Sequence, residues 1–261
     1  MQDLSIALIQ ADLVWEDHEA NLARFEEHIR RVPAGVQLIV LPEMFSTGFS
    51  MHPQRLAQTM NGPAVAWMLK RSQATGADVT GSLIIKEEGR YFNRLIWAKP
   101  DGTLAYYDKK HLFRYAGEEK VYTPGSGQLL VECHDWKIRP LICYDLRFPI
   151  WTRNLDNSYD AAIYVANWPE RRAPHWDALL RARAIENQCY VAGVNRVGVD
   201  GNGYRYRGDT CLFDPLGRSV AAESHREAVV TGLLSAKVLA DYRRTFPAWM
   251  DADNDLLVGK E

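Results

Sequence analysis

With 261 residues, 47% of them hydrophobic and 25% charged, the chain has ordinary globular composition and enough length to bury a large core. A formal charge of -2 gives no electrostatic argument for nucleic acid or an acidic membrane, and no apolar run approaches the roughly 18 residues of a membrane span. The expected partners are small molecules or protein.

The stretch "LSIALIQ" at 4–10 is short and apolar, as a strand buried on both faces should be. A helix follows, with Asp17 placed to cap it and Leu22, Phe25, Ile29 and Val32 at the spacing of one helical face. Pro33 and Gly35 end it, and "VQLIVLPE" at 36–43 reads as a second strand stopping at Pro42 and Glu43. Gly62 and Pro63 open another helix, after which "ADVTGSLIIKEEGRYFNRLIWAKPDGTLAYYDK" reads as a meander turning at "EEGR" and "PDG". "KIRPLICYD" at 137–145 is a strand, "RFPIWTRNL" a short helix and "YDAAIYVANWP" at 159–169 a further strand. The alternation continues through a helix near 175–188, the strand "CYVAGVNRV", a hairpin across "DPLGR" and a helix near 235–245.

Strands that alternate with helices but include hairpins imply an α/β fold, an α-β-β-α sandwich of two mixed sheets with outer helices. No linker, repeat or low-complexity tract divides residues 1–261, so one domain is expected. Cys133, Cys143, Cys189 and Cys211 lie far apart, without the spacing of a zinc site, so no metal and no cofactor are expected. The first residues lack a basic leader, and reduced thiols in a cytoplasmic setting are the natural reading.

Three places could carry chemistry. Glu43 stands at the mouth of a buried strand, where a carboxylate can trade protons near neutrality. Lys109, in "YYDKKHLFRY", is hemmed in by aromatic residues and could meet a developing oxyanion, whereas His111 beside it reads as a structural hydrogen-bonding residue. Cys143 ends an apolar run and is followed at once by the turn "YDLRFP", which sets its thiol at an elbow with free backbone N–H groups nearby. The other three cysteines read as packing residues.

The segments "LIVLPEMFSTGF", "YDKKHLF" and "PLICYDLRFP", in that order, make the chain similar to the nitrilase superfamily of carbon-nitrogen hydrolases, from "IALIQADLVW" to "FPAWMDAD". The resemblance implies Cys143 as nucleophile, Glu43 as general base and later proton donor, and Lys109 as the cation facing the tetrahedral intermediate, with the Tyr144 N–H as a second oxyanion donor. It implies a further glutamate before a "PG" turn, Glu118 by spacing, with Glu119 as the alternative. It also implies a homodimer.

Among the branches of that superfamily, "CYDLRFP", "YVANWP" and "RARAIENQCYVAGVNRVG" most resemble the omega-amidase group. That branch hydrolyses the terminal carboxamide of dicarboxylic acid monoamides such as 2-oxoglutaramate and succinamate. A substrate carboxylate calls for a guanidinium, and Arg147, Arg171 and Arg172 are near the relevant loops, with Arg172 the favoured one. Phe148 or Trp168 would supply an aromatic wall. A nitrilase or carbamoyl-amide hydrolase could use the same triad, and a thiol redox sensor would need only Cys143. The "YRYR" run at 204–207 reads as a strand with two faces rather than a nucleic-acid contact, and for "RARAIEN" at 181–187, which alone could be a solvated helix face, the resemblance implies partly buried ion pairs near a subunit contact.

Overall fold

The computed structural model describes residues 1–254. The chain runs β1 (Leu4–Gln10), α1 (His18–Arg30), β2 (Leu38–Val40), α2 (Pro53–Leu56), α3 (Pro63–Thr75), β3 (Asp78–Glu87), β4 (Arg90–Ala98) and β5 (Leu104–Asp108) in its first half. The second half runs β6 (Val131–Cys133), β7 (Trp136–Ile142), α4 (Pro149–Thr152), β8 (Ala161–Ala166), α5 (Ala173–Asn187), β9 (Tyr190–Asn195), β10 (Val197–Val199), β11 (Arg205–Phe213), β12 (Ser219–Ser224), β13 (Ala228–Leu234) and α6 (Ala236–Thr245). One sheet has the order β13-β1-β2-β3-β4-β5, and the other β10-β11-β9-β8-β7-β6 with β12 beside β11. Both are mixed: β1, β2 and β3 run parallel, as do β7, β8 and β9, while the flanking strands are antiparallel.

Side-chain alternation explains why the sheets stack. Leu4, Ile6 and Leu8 of β1 face a core shared with Leu141, Val165 and Val194 of the second sheet, while Ala7 and Ile9 face Phe25 and Ile29 of α1 and Val65 and Met68 of α3. Helix α1 begins as its sequence dictates, with the Asp17 carboxylate accepting the Ala20 N–H at 3.0 Å. Helix α3 takes Pro63 in its first turn and ends on Gly76 at φ 71°, a left-handed cap that glycine adopts without strain.

Three boundaries differ from the sequence reading. Strand β2 stops at Val40 rather than at Glu43, since Pro42 has no N–H to continue the ladder, so Glu43 sits in the loop beyond. Strand β7 stops at Ile142, and Cys143 opens a 3-10 helix (Cys143–Arg147) instead of closing the strand. Strand β13, which pairs along all of β1, had no counterpart in the sequence reading. In the run "YRYR", Tyr206 is buried and Arg205 exposed, the two-faced strand expected.

Candidate active site

Glu43 and Lys109, from loops, and Glu118, which opens a 3-10 helix (Glu118–Lys120), meet in the interior, each at most 1% exposed. Lys109 Nζ lies 2.9 Å from Glu43 Oε1, 3.0 Å from Glu118 Oε1 and 2.9 Å from Glu118 Oε2. Of the two candidate glutamates, Glu118 is the one that meets Lys109, and Glu119 makes no bond to it. The Phe113 N–H donates to Glu118 Oε2 at 2.6 Å and the Asn167 N–H to Glu43 Oε2 at 2.8 Å. Asn167 also ties its side-chain amide to the Glu43 carbonyl at 2.6 Å, which fixes the loop carrying the carboxylate.

Burial alone would lower the Lys109 ammonium, but the Glu118 and Glu43 carboxylates outweigh it and hold the group charged well above its ordinary range. Burial raises Glu118, against the pull of Lys109. Burial and then the Glu43 carboxylate, which also accepts a hydrogen bond from the sulfur, push the Cys143 thiol well up. The same surroundings favour the protonated thiol over the thiolate.

The elbow holding Cys143 is strained. Cys143 has φ 42°, a left-handed backbone that a side chain with a Cβ rarely adopts, and Met44, immediately after Glu43, has φ 44°. Buried Asp145 over-determines the turn: it accepts the Ile142 N–H at 3.1 Å, the Tyr107 O–H at 2.8 Å and the His111 N–H at 3.0 Å. From behind, Arg183 of α5 donates to the Leu146 carbonyl at 2.7 Å and to Glu186 Oε1 at 2.8 Å, a partly buried pair within "RARAIEN". The Tyr144 N–H, in the first turn of the 3-10 helix, has no acceptor among the described residues and is free for an oxyanion.

Cys143, Lys109 and Asn167 line a cavity of about 500 Å³ with Tyr144, Arg147, Trp168 and Arg172. Arg147 lies over the Trp168 ring at 4.8 Å and Arg172 over Phe113 at 5.2 Å. Burial and the neighbouring Arg171 destabilise the Arg172 cation. Among the described residues, Arg147, Arg171 and Arg172 pair with no carboxylate. Phe148 is a correction to the sequence reading. Tyr144 and Arg147, three residues apart in the 3-10 helix, both line the cavity, whereas Asp145 turns to Tyr107 and His111. Phe148, just past that helix, stacks on His111 with centroids 3.8 Å apart and meets Tyr144 edge-on at 5.1 Å, and the aromatic lining includes Trp168, Phe113 and Phe49. Phe49, Asn93 and Asn167 were not singled out from sequence; Asn167 lies inside the quoted "YVANWP", where a polar residue closing a buried strand was the available signal.

Residues 5–244 match the carbon-nitrogen hydrolase family. The chain belongs to that family. Within the carbon-nitrogen hydrolases it is 48% identical to omega-amidase YafV of Escherichia coli K12, over 97% of this chain and 98% of that protein. It is 30% identical to a 2-oxoglutaramate amidase of Bacillus subtilis, again over 97% of this chain and 98% of that protein. Among solved structures, a Xanthomonas campestris member with an arsenic adduct in its active site superposes with a TM-score of 0.95 at 45% identity, covering 97% of this chain and 98% of that one. Nit3 of Saccharomyces cerevisiae, from branch 10 of the nitrilase superfamily, superposes with a TM-score of 0.84 at 26% identity, covering 94% and 95%.

Proposed function

We propose that this chain is an amidohydrolase releasing ammonia from the terminal carboxamide of a small dicarboxylic acid monoamide, of the 2-oxoglutaramate or succinamate type, through a cysteine thioester. The observation that carries the substrate class is the set of three guanidinium groups, Arg147, Arg171 and Arg172, lining the cavity of Cys143 without a carboxylate partner among the described residues. Cations held close together in a partly dry cleft repel one another until an anion arrives, and the carboxylate at the far end of a monoamide is such an anion. Arg172, over Phe113 and partly buried, receives it, and Trp168 walls the short chain between.

The reaction follows from the contacts. As Cys143 Sγ bonds to the amide carbon, its proton passes to Glu43 and the carbonyl electrons move onto oxygen. That oxyanion is met by the Tyr144 N–H and by Lys109, whose two contacts to Glu118 allow one to be released without losing the pair. Glu43 returns the proton to the leaving nitrogen, the C–N bond breaks and ammonia departs, leaving the thioester. Water then gives its proton to Glu43 as its oxygen attacks the thioester carbon, and the proton returns to sulfur as the acid leaves.

The reading includes a homodimer and a cytoplasmic location, the first supported by family habit and the second by the free cysteines. Among the described residues no helix is long and apolar enough to cross a membrane. The test is ammonia release from 2-oxoglutaramate, succinamate, glutamine, asparagine and a simple nitrile, compared between wild type and Cys143→Ala. We expect turnover of the first two, abolished in the variant; a nitrile giving acid faster than its matching amide would overturn the reading.

A further inference from the structure

Asn93 of β4 is 1% exposed and does not line the cavity, yet it contacts both carboxylates and the main chain of Lys109. Its Nδ2 donates to Glu43 Oε1 at 2.8 Å and to Glu118 Oε1 at 3.3 Å, and its main-chain carbonyl accepts the Lys109 N–H at 2.9 Å. The orientation of the amide is imposed from behind. The Met44 N–H donates to Ser82 Oγ at 2.8 Å, which leaves the Ser82 hydroxyl proton for Asn93 Oδ1, also at 2.8 Å. With Oδ1 held by that donor, only the NH2 group can face the carboxylates. A carbonyl polarised in this way also makes its own N–H groups stronger donors.

Each carboxylate consequently has the same three kinds of partner: the Lys109 ammonium, the Asn93 amide and one main-chain N–H, from Asn167 for Glu43 and from Phe113 for Glu118. Two carboxylates and one ammonium leave one negative charge without a cation in a dry interior, where an isolated charge is costly. The titratable groups around Asn93 are Glu43, Glu118, Lys109, Cys143 and Tyr122, and the Tyr122 O–H is already spent on the Ser50 carbonyl at 2.6 Å. The remaining fixed dipole that both carboxylates share is the Asn93 amide.

We infer that Asn93, locked by Ser82, is a positioning residue that keeps Glu43 and Glu118 ionised together, so that Glu43 enters the reaction as a base able to take the Cys143 proton. Without it the carboxylate pair retains a proton at neutral pH and the thiol loses its acceptor. This rests on the amide-hydrolysing reading only for its role in turnover, since the proton inventory can be read without substrate.

The experiment is the rate of Cys143 alkylation by iodoacetamide against pH, in wild type, Asn93→Leu and Ser82→Ala, with loss of labelling in Cys143→Ala identifying the site. Carbon bonds to sulfur, iodide leaves and the thiol proton goes to Glu43, so the acid limb of the profile reports the base. Losing charge-assisted bonds to the pair should move that limb to higher pH by about one to two units in Asn93→Leu and by less in Ser82→Ala, with rates converging on wild type above the limb. Limbs coinciding with wild type, with rates lowered uniformly at all pH, would overturn the inference. If Asn93→Leu does not fold, Ser82→Ala decides alone. Absence of amide turnover in the wild type would sink the substrate reading and leave this profile interpretable.

Discussion

Lys109→Met separates what the ammonium does for the fold from what it does for the reaction. Methionine keeps an unbranched chain of similar length beside Phe49, over whose ring the ammonium lies at 5.1 Å, so the perturbation is the charge rather than a cavity. Glu43 and Glu118, both 0% exposed, are then left facing one another with only Asn93 and main-chain donors. Removing one partner of a buried ion pair costs about 3–5 kcal/mol, because the stranded charge stays in place or must take up a proton. At about 2 °C per kcal/mol for a chain of this size, the midpoint of thermal unfolding should fall by about 6–10 °C. Turnover of succinamate should fall by about 10²–10³, the loss typical of one oxyanion donor. The double variant Lys109→Met with Glu118→Gln removes one of the two stranded carboxylates, so it should regain at least half of the lost midpoint while turnover stays down. Calorimetry and ammonia release measure the two effects on one preparation. A double variant that recovers turnover along with stability, or a single variant with wild-type turnover, would refute the assignment of Lys109 to the oxyanion.

Two further substitutions test the substrate end and the second glutamate. Arg172→Leu removes a charge-assisted contact worth about 1.5–3 kcal/mol, so kcat/KM for succinamate should drop about 10–100-fold while that for butyramide, which lacks the carboxylate, stays within about threefold. Equal losses on both amides would show that Arg172 holds the loop rather than the ligand. Glu118→Gln, which cuts the contacts of 3.0 and 2.9 Å to Lys109, should lower kcat on succinamate about 10–100-fold, and Glu119→Gln should leave it nearly unchanged. The reverse ranking would reassign the second glutamate.

Cys143, Glu43 and Lys109 could be singled out because each sits where a strongly apolar or aromatic stretch breaks into a turn, a pattern that local sequence carries. The alternating β1 and the capped α1 were legible for the same reason: their determinants lie within a few residues. What sequence hid depended on direction. Phe148 and Arg147 are adjacent, yet one stacks on His111 and the other lines the cavity, a divergence at the end of the 3-10 helix that local sequence does not show. Glu118 and Glu119 could be distinguished only once the turn placed one of them beneath Phe113. Asn93 was invisible because "YFNRL" is an unremarkable strand, and its meaning comes from Ser82 on the neighbouring strand and two carboxylates from elsewhere. Strand β13 went unread because its pairing with β1 joins residues more than two hundred positions apart.

The state of the thiol bears on the rival reading of Cys143 as a redox sensor. Sensor cysteines are exposed and held as thiolates, because the thiolate is the species that peroxide oxidises. Here burial and the Glu43 carboxylate favour the protonated sulfur, and Lys109, which would stabilise a thiolate, has its charge engaged by two carboxylates. In the proposed reaction, attack on a carbonyl carbon is paired with transfer of the thiol proton to Glu43, so the negative charge of that carboxylate passes in effect to the substrate oxygen beside the Tyr144 N–H. The raised thiol is thus compatible with catalysis, because the proton has an acceptor in contact and the developing charge has a prepared destination.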